Sequence, residues 1–202
     1  MDEMIVVAPR NKVFVNEILT FQGVNSDKEV LKRVVQNIDR SFSIMRRGDA
    51  EEDTNFKQPI PYAVLKRRND VFIYERLQGG GEARLHNQLS LGVGGHINGT
   101  TDYEFNDLLY DNLRREIEEE LYLSNDKFEV EVIGLINDDE NSVGRVHIGL
   151  LAIIELSLDT DVRVREVDQL KGGWIQIKDL KNEDTYNNLE TWSQFVADIL
   201  NQ

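Results

Sequence analysis

The sequence contains no cysteine. Disulfides, thiolate nucleophiles and sulfur-ligated zinc are therefore excluded. It also lacks a long apolar run and a leader-like start, which argues against a membrane partner and for a cytoplasmic protein. Basic stretches are missing as well. Lys and Arg number 23 against 37 Asp and Glu, giving a formal net charge of -14. That balance argues against nonspecific contact with a nucleic-acid backbone or an anionic membrane. What remains is a chain of 202 residues, 40% hydrophobic, enough for one good core and a small extra lobe. No internal repeat is visible.

The most informative stretch is Arg115-Glu116-Ile117-Glu118-Glu119-Glu120-Leu121, downstream of Gly94-Gly95. On a helix, Glu116, Glu119 and Glu120 share one face, while Glu118 points away to solvent. Leu109, Leu113, Ile117 and Leu121 recur at every fourth position and form an adjacent apolar stripe. Three carboxylates within one turn repel each other by a few tenths of a kcal/mol per pair. A divalent cation with a preference for hard oxygen donors reverses that sign. Glu-rich runs are more often solvated helix faces. Against that reading stand Arg115 before Glu116, the glycines, and the strand patterns on either side.

These residues resemble the Nudix hydrolases, whose box runs from a glycine through a glutamate to Arg-Glu-apolar-x-Glu-Glu-x-Gly-apolar. Arg115, Glu116, Ile117, Glu119, Glu120 and Leu123 match its second half, and Gly92-Val93-Gly94-Gly95-His96 is similar to its strand end and loop entry. The first half departs: Asp107 replaces the earlier glutamate, Thr101 its glycine, and Tyr122 the late glycine. The loop into the helix is longer than usual. The resemblance covers roughly residues 61–202. It implies an α/β (α+β) fold, a Nudix-type mixed β-sheet sandwiched between α-helices, here with an N-terminal extension. It also implies Mg²⁺ or Mn²⁺ held by Glu116, Glu119 and Glu120 with the Gly95 carbonyl, and Arg115 orienting a box glutamate. Within the box Glu119 is preferred over Glu116 as the base; Glu166, in the acidic loop 159–168, is the candidate outside it, though a solvated loop acid is the commoner outcome.

The chain organises as follows. Met4 to Ala8 reads as a strand and residues 12–22 as a second strand or loop. Ser26 with Glu29 fits a capping box before Val30, Leu31, Val34, Val35 and Ile38 at helical spacing. Residues 46–57 read as a linker or mobile loop. Residues 62–68 and 71–76 alternate around Asn69-Asp70, a hairpin pattern. Residues 88–97 read as a strand. Thr101 with Glu104 opens the acidic helix, which is expected to run to about Leu123. Residues 128–136, 146–156 and 174–177 read as strands, and residues 189–200 as an amphipathic helix carrying Trp192. Residues 1–60 are an extension or small lobe packed on the core; lining the substrate cleft or pairing two subunits as a homodimer are its other open roles. Residues 61–202 form the Nudix-like domain.

Among substrate contacts, Arg76 and Arg84 flank the glycine-rich loop and His96 follows the Gly-Gly pair at a strand end. Surface exposure is the commoner fate of such arginines. His147 reads as a core or cleft-wall residue, His86 as exposed, and Trp174 and Trp192 as packing residues. The family's proline after the box, typical of its ADP-ribose enzymes, is missing. So are the later tyrosine of the dinucleoside-polyphosphate enzymes, the coenzyme A signature and the isomerases' cysteine. The expectation is a metal-dependent pyrophosphohydrolase acting on a small phosphorylated nucleoside diphosphate derivative. The alternatives are a noncatalytic Nudix-like nucleotide or sugar-nucleotide sensor, and an interaction module with no ligand.

Overall fold

The computed structural model describes residues 3–76, 88–99, 103–125, 128–165 and 170–202. The chain begins with β1 (Met4–Pro9), α1 (Arg10–Val13), β2 (Gly23–Asn25), α2 (Lys28–Ser41), β3 (Ser43–Arg46), α3 (Arg47–Ala50) and β4 (Phe56–Arg67). Then come β5 (Asp70–Arg76), β6 (Leu89–Ser90), β7 (Gly92–Val93), α4 (Phe105–Glu120), β8 (Leu121–Leu123) and β9 (Val130–Asn137). The last elements are α5 (Ser142–Val146), β10 (His147–Glu155), β11 (Val162–Val164), β12 (Leu170–Gln176), α6 (Glu183–Asn188) and α7 (Thr191–Leu200). The class is α+β, as the sequence predicts. Among the described residues no helix is long and apolar enough to cross a membrane.

Contacts divide the chain into two compact units. The first comprises Met1–Tyr62, Gly94–Arg114 and Val132–Leu151; the second comprises Ala63–Val93, Arg115–Glu131 and Ala152–Gln202.

In the first unit, β1 pairs antiparallel with β3 (Met4↔Arg46 to Val7↔Ser43) and, at its end, with β4 (Ala8↔Lys57). Strand β1 is apolar without alternation because both of its faces are buried. Val6 and Ala8 join the core of Val34, Ile38, Phe105 and Leu135, whereas Ile5 and Val7 join Ala50. Its edge also holds the segment after Gly94-Gly95, since Val6 N–H donates to the Ile97 carbonyl at 2.8 Å. Gly94 itself must be glycine: a Cβ there would lie 1.8 Å from the Pro61 carbonyl oxygen. Strand β2 pairs antiparallel with β9.

Several local expectations shift. Asp27, not Ser26, caps α2, its Oδ1 accepting from Glu29 N–H at 2.9 Å and Val30 N–H at 3.0 Å. Residues 46–57 are not loose, because α3 and the start of β4 occupy them and Arg47 pairs with Glu3 and Glu51. Of the strand or loop expected over residues 12–22, the loop is what forms. These residues hold the end of α1 and a left-handed turn with positive φ at Val15 (51°), Asn16 (52°) and Glu17 (71°).

In the second unit, β12 pairs antiparallel with β5 over seven residues, from Leu170↔Arg76 to Gln176↔Asp70. Strand β5 pairs with β4 at Arg67↔Asp70, so the hairpin turn is Arg68-Asn69, one residue before the expected pair, with Arg68 at φ 51°. β7 adds to β4 and β6 to β5. The expected strand over 88–97 is thus two short ones. α7 docks through Ser193, whose Oγ accepts from Leu91 N–H at 2.8 Å. The acidic helix stops at Glu120, short of Leu123, because Leu121–Leu123 form a strand against β11. A ladder partner far along the chain overrides local helix propensity there.

Candidate active site

Helix α4 begins in the first unit, where Asp39 Oδ1 accepts from Phe105 N–H at 3.2 Å. The Thr101 cap lies outside the described residues. Leu109, Leu113, Ile117 and Leu121 are all buried, so the apolar stripe is a packing face as its spacing predicts. That burial orients the acidic face in the last turns, within the second unit. Arg115 donates to both of its neighbours there: Nη2 to Glu116 Oε1 at 2.6 Å, and Nη1 to Glu119 Oε2 at 2.9 Å. The two partners differ in setting. Glu116 keeps 13% of its side-chain exposure and Glu119 58%. Glu120 Oε2 is buried, and Glu118 is exposed.

The donor chemistry suits a hard divalent cation, since Glu116, Glu119 and Glu120 offer only carboxylate oxygens. Among the described residues, no three acidic or histidine side chains are gathered as a metal-holding group. Arg115 clasps two of the candidate ligands, so any metal there would share them with its guanidinium or displace it.

Gly95 and His96 belong to the first unit. The Gly95 carbonyl accepts a 3.4 Å hydrogen bond from Asn112 Nδ2. His96, half-buried, meets two partners that the sequence did not announce. Its Nε2 lies 2.8 Å from Gln58 Oε1 and 3.2 Å from His147 Nε2. His147 Nδ1 donates to the Val143 carbonyl at 2.7 Å. Burial first, then Arg47 and His147, push the His96 conjugate acid down to about 3, so this imidazole is neutral.

A charged chain lies beside this trio. Lys57, fully buried, donates from Nζ to Asp139 Oδ1 at 3.0 Å and to the carbonyls of Gly144 and His147 at 2.8 and 3.1 Å. Arg10 reaches both oxygens of Asp139 (2.7 and 2.8 Å) and both of Glu17 (3.0 and 2.8 Å). The Phe14 ring lies under Arg10 at 5.3 Å and Lys57 at 5.8 Å. Burial lowers the Lys57 ammonium to about 8 against the pull of Asp139. Burial would raise the Asp139 carboxyl, but Arg10, Asn137 and Lys57 together hold it well below the usual range. These shifts oppose each other across one contact, yet both leave the pair charged at neutral pH. Lys57 therefore anchors the start of β10, and with it the backbone of His147.

Of the other expected contacts, Arg76 is the last residue of β5, and Arg84, His86 and Glu166 lie outside the described residues. Trp174 is a packing residue, edge-on to Phe72 at 5.4 Å with Arg67 stacked at 3.9 Å. Gln58, Lys57, Asp139 and Arg10 escaped sequence reading. Their one local signal was a lysine and a glutamine heading an apolar strand.

No family model matches the chain. Protein YmaB of Bacillus subtilis (strain 168) is 55% identical over 202 residues, spanning 99% of this chain and 98% of that protein. The crystal structure of Tm1382, described as a candidate Nudix hydrolase, superposes with a TM-score of 0.78 at 29% identity, covering 98% of each chain. A MutT Nudix hydrolase from Burkholderia pseudomallei shares the fold at a TM-score of 0.51 and 16% identity, over 70% of this chain and 96% of its own.

Proposed function

This chain belongs to the Nudix superfamily and to the family of Protein YmaB, and from that premise we propose a divalent-metal-dependent pyrophosphohydrolase acting on a nucleoside diphosphate derivative. The observation that carries the reading is the Arg115 fork on Glu116 and Glu119. A guanidinium that spans two carboxylates one helical turn apart holds both in fixed orientation at the end of a helix whose adjacent stripe is buried.

Glu116, Glu119 and Glu120 would hold Mg²⁺ or Mn²⁺. Bound, the cation supplies charge neutralisation on the diphosphate and a lowered pKa for an attacking water. Arg115 keeps Glu116 in place. Glu119, the more exposed of the clasped pair, would accept the proton of the water after leaving Arg115. His96, neutral and half-buried beside Gly95, is a contact for the substrate, and Arg76 is a candidate for its phosphates.

The test is phosphate release from nucleoside triphosphates, sugar nucleotides and dinucleotides in Mg²⁺ or Mn²⁺. Activity on one class, abolished by EDTA and by Glu120→Gln, is the expected result. Nucleotide binding without turnover would replace this reading by that of a sensor.

A further inference from the structure

The exposed face of α2 gathers positive charge within a strongly acidic chain. Lys32, Arg33 and Arg40, all exposed, line a cleft of about 610 Å³ in the first unit, with Glu29 as the acid among the lining residues. Among the described residues none of the three cations meets a carboxylate, although 37 acids stand against 23 bases. Arg10, Arg46, Arg47, Arg67 and Arg115, by contrast, each hold one. Glu29 precedes Arg33 by four residues on α2, the spacing of a helical ion pair, yet no such pair forms. Glu17, two residues from Leu19 of the cleft wall, is engaged by Arg10 and Thr20 instead. Helix stability does not account for the stripe. Lys28 and Lys32 repel at i, i+4 and lie towards the end where the helix dipole disfavours cations; Arg40 alone stands where it favours one. The wall that Leu19 supplies follows the left-handed turn at Val15, Asn16 and Glu17. Valine avoids that conformation, and strain of this kind recurs where a chain clamps a ligand.

We propose that this cleft is an anion site for a small molecule carrying linked phosphates, held by Lys32, Arg33 and Arg40. Lys32 and Arg40 are about 12 Å apart along the helix axis, so the cations match a row of negative charges better than a single anion. Guanidinium forks suit phosphate oxygens. Leu19 and Val30, half-buried at the edge of the core, offer an apolar wall to whatever organic group the phosphates carry. The cleft volume is that of a small-molecule site. The site lies on α2 and stands whether or not the carboxylates of α4 support turnover.

Calorimetric titration with sodium tripolyphosphate and with ATP, both in EDTA, tests it. Without a divalent cation the carboxylates of α4 repel phosphate, so the cleft is read by itself. Wild type should bind one equivalent at about millimolar concentration or tighter, and Arg33→Gln/Arg40→Gln should weaken binding about tenfold or more. Glutamine keeps the helix propensity of arginine, so circular dichroism should match. Lys171→Gln/Lys178→Gln removes the same charge from exposed positions of the second unit and should keep affinity within about twofold. Tighter binding of ATP would assign the ligand to nucleotides, tighter binding of tripolyphosphate to inorganic polyphosphate; either supports the site. No binding in EDTA would overturn the inference, as would an equal loss in both double variants, the mark of net charge alone. Loss of binding in Glu120→Gln would also overturn it. So would a wild type that binds neither ligand but forms a dimer dispersed by Arg33→Gln/Arg40→Gln, which would give the face to a second copy of the chain.

Discussion

Removing the Asp139 carboxylate with Asp139→Ala leaves the Lys57 ammonium fully buried, held among the described residues by the Gly144 and His147 carbonyls. At 3.0 Å and an effective dielectric near 20, the lost attraction is about 5 kcal/mol. Breaking one side of a buried pair costs about 3–5 kcal/mol in practice. Asp139 also accepts from Arg10 and Asn137, which places the cost in the upper half of that range. With a urea slope of about 2 kcal/mol/M, the midpoint should fall by about 2 M. Lys57→Met should cost less, about 1–2 kcal/mol, because Asp139 keeps Arg10. In the double variant the uncompensated ammonium is gone, so its loss should fall short of the sum by about 2 kcal/mol.

The pH dependence supplies an independent check. Lys57 binds its proton less tightly folded, at about 8, than its ordinary 10.5. Its burial penalty is thus fully present below pH 8 and is relieved as pH rises towards 10.5. Wild type should gain up to about 3 kcal/mol on Lys57→Met across that window. In Asp139→Ala the window should open at lower pH. Additive costs within about 0.5 kcal/mol, or a window that does not move, would refute the reasoning.

Gly94→Ala would drive a Cβ to 1.8 Å from the Pro61 carbonyl oxygen. The expected loss is about 2–3 kcal/mol, read as a lower urea midpoint. Val15→Gly removes a β-branched residue from φ 51° and should stabilise by about 1 kcal/mol; a lower melting temperature would count against the left-handed turn. Arg115→Ala removes the fork from Glu116 and Glu119. It should reduce kcat by an order of magnitude or more, while costing less than about 1 kcal/mol of stability for a half-exposed pair. Equal loss of activity and fold would point to a structural arginine.

The sequence was most legible where periodicity is local. The stripe Leu109, Leu113, Ile117 and Leu121 announced α4 and, with it, the face carrying Glu116, Glu119 and Glu120. The apolar run Met4–Ala8 likewise announced β1, though only the fold explains why it does not alternate. Errors fell where distant partners decide. Leu121–Leu123 continue a helix by propensity, yet pair with residues 162–164. Residues 46–57 look loose by charge, yet Arg47 is tied to Glu3. The trio Gln58, His96 and His147, and the Lys57–Asp139 contact, join residues 38 to 82 positions apart. No short window of sequence contains them, and a buried lysine looks like a solvated one until its partners are seen.

The most direct test of the central claim is phosphate release from the nucleotide panel in Mg²⁺, wild type beside Glu120→Gln, with both proteins first matched for urea midpoint. The account predicts turnover of one diphosphate class by wild type and at least a hundredfold loss in the variant. Equal turnover by the two proteins would contradict it.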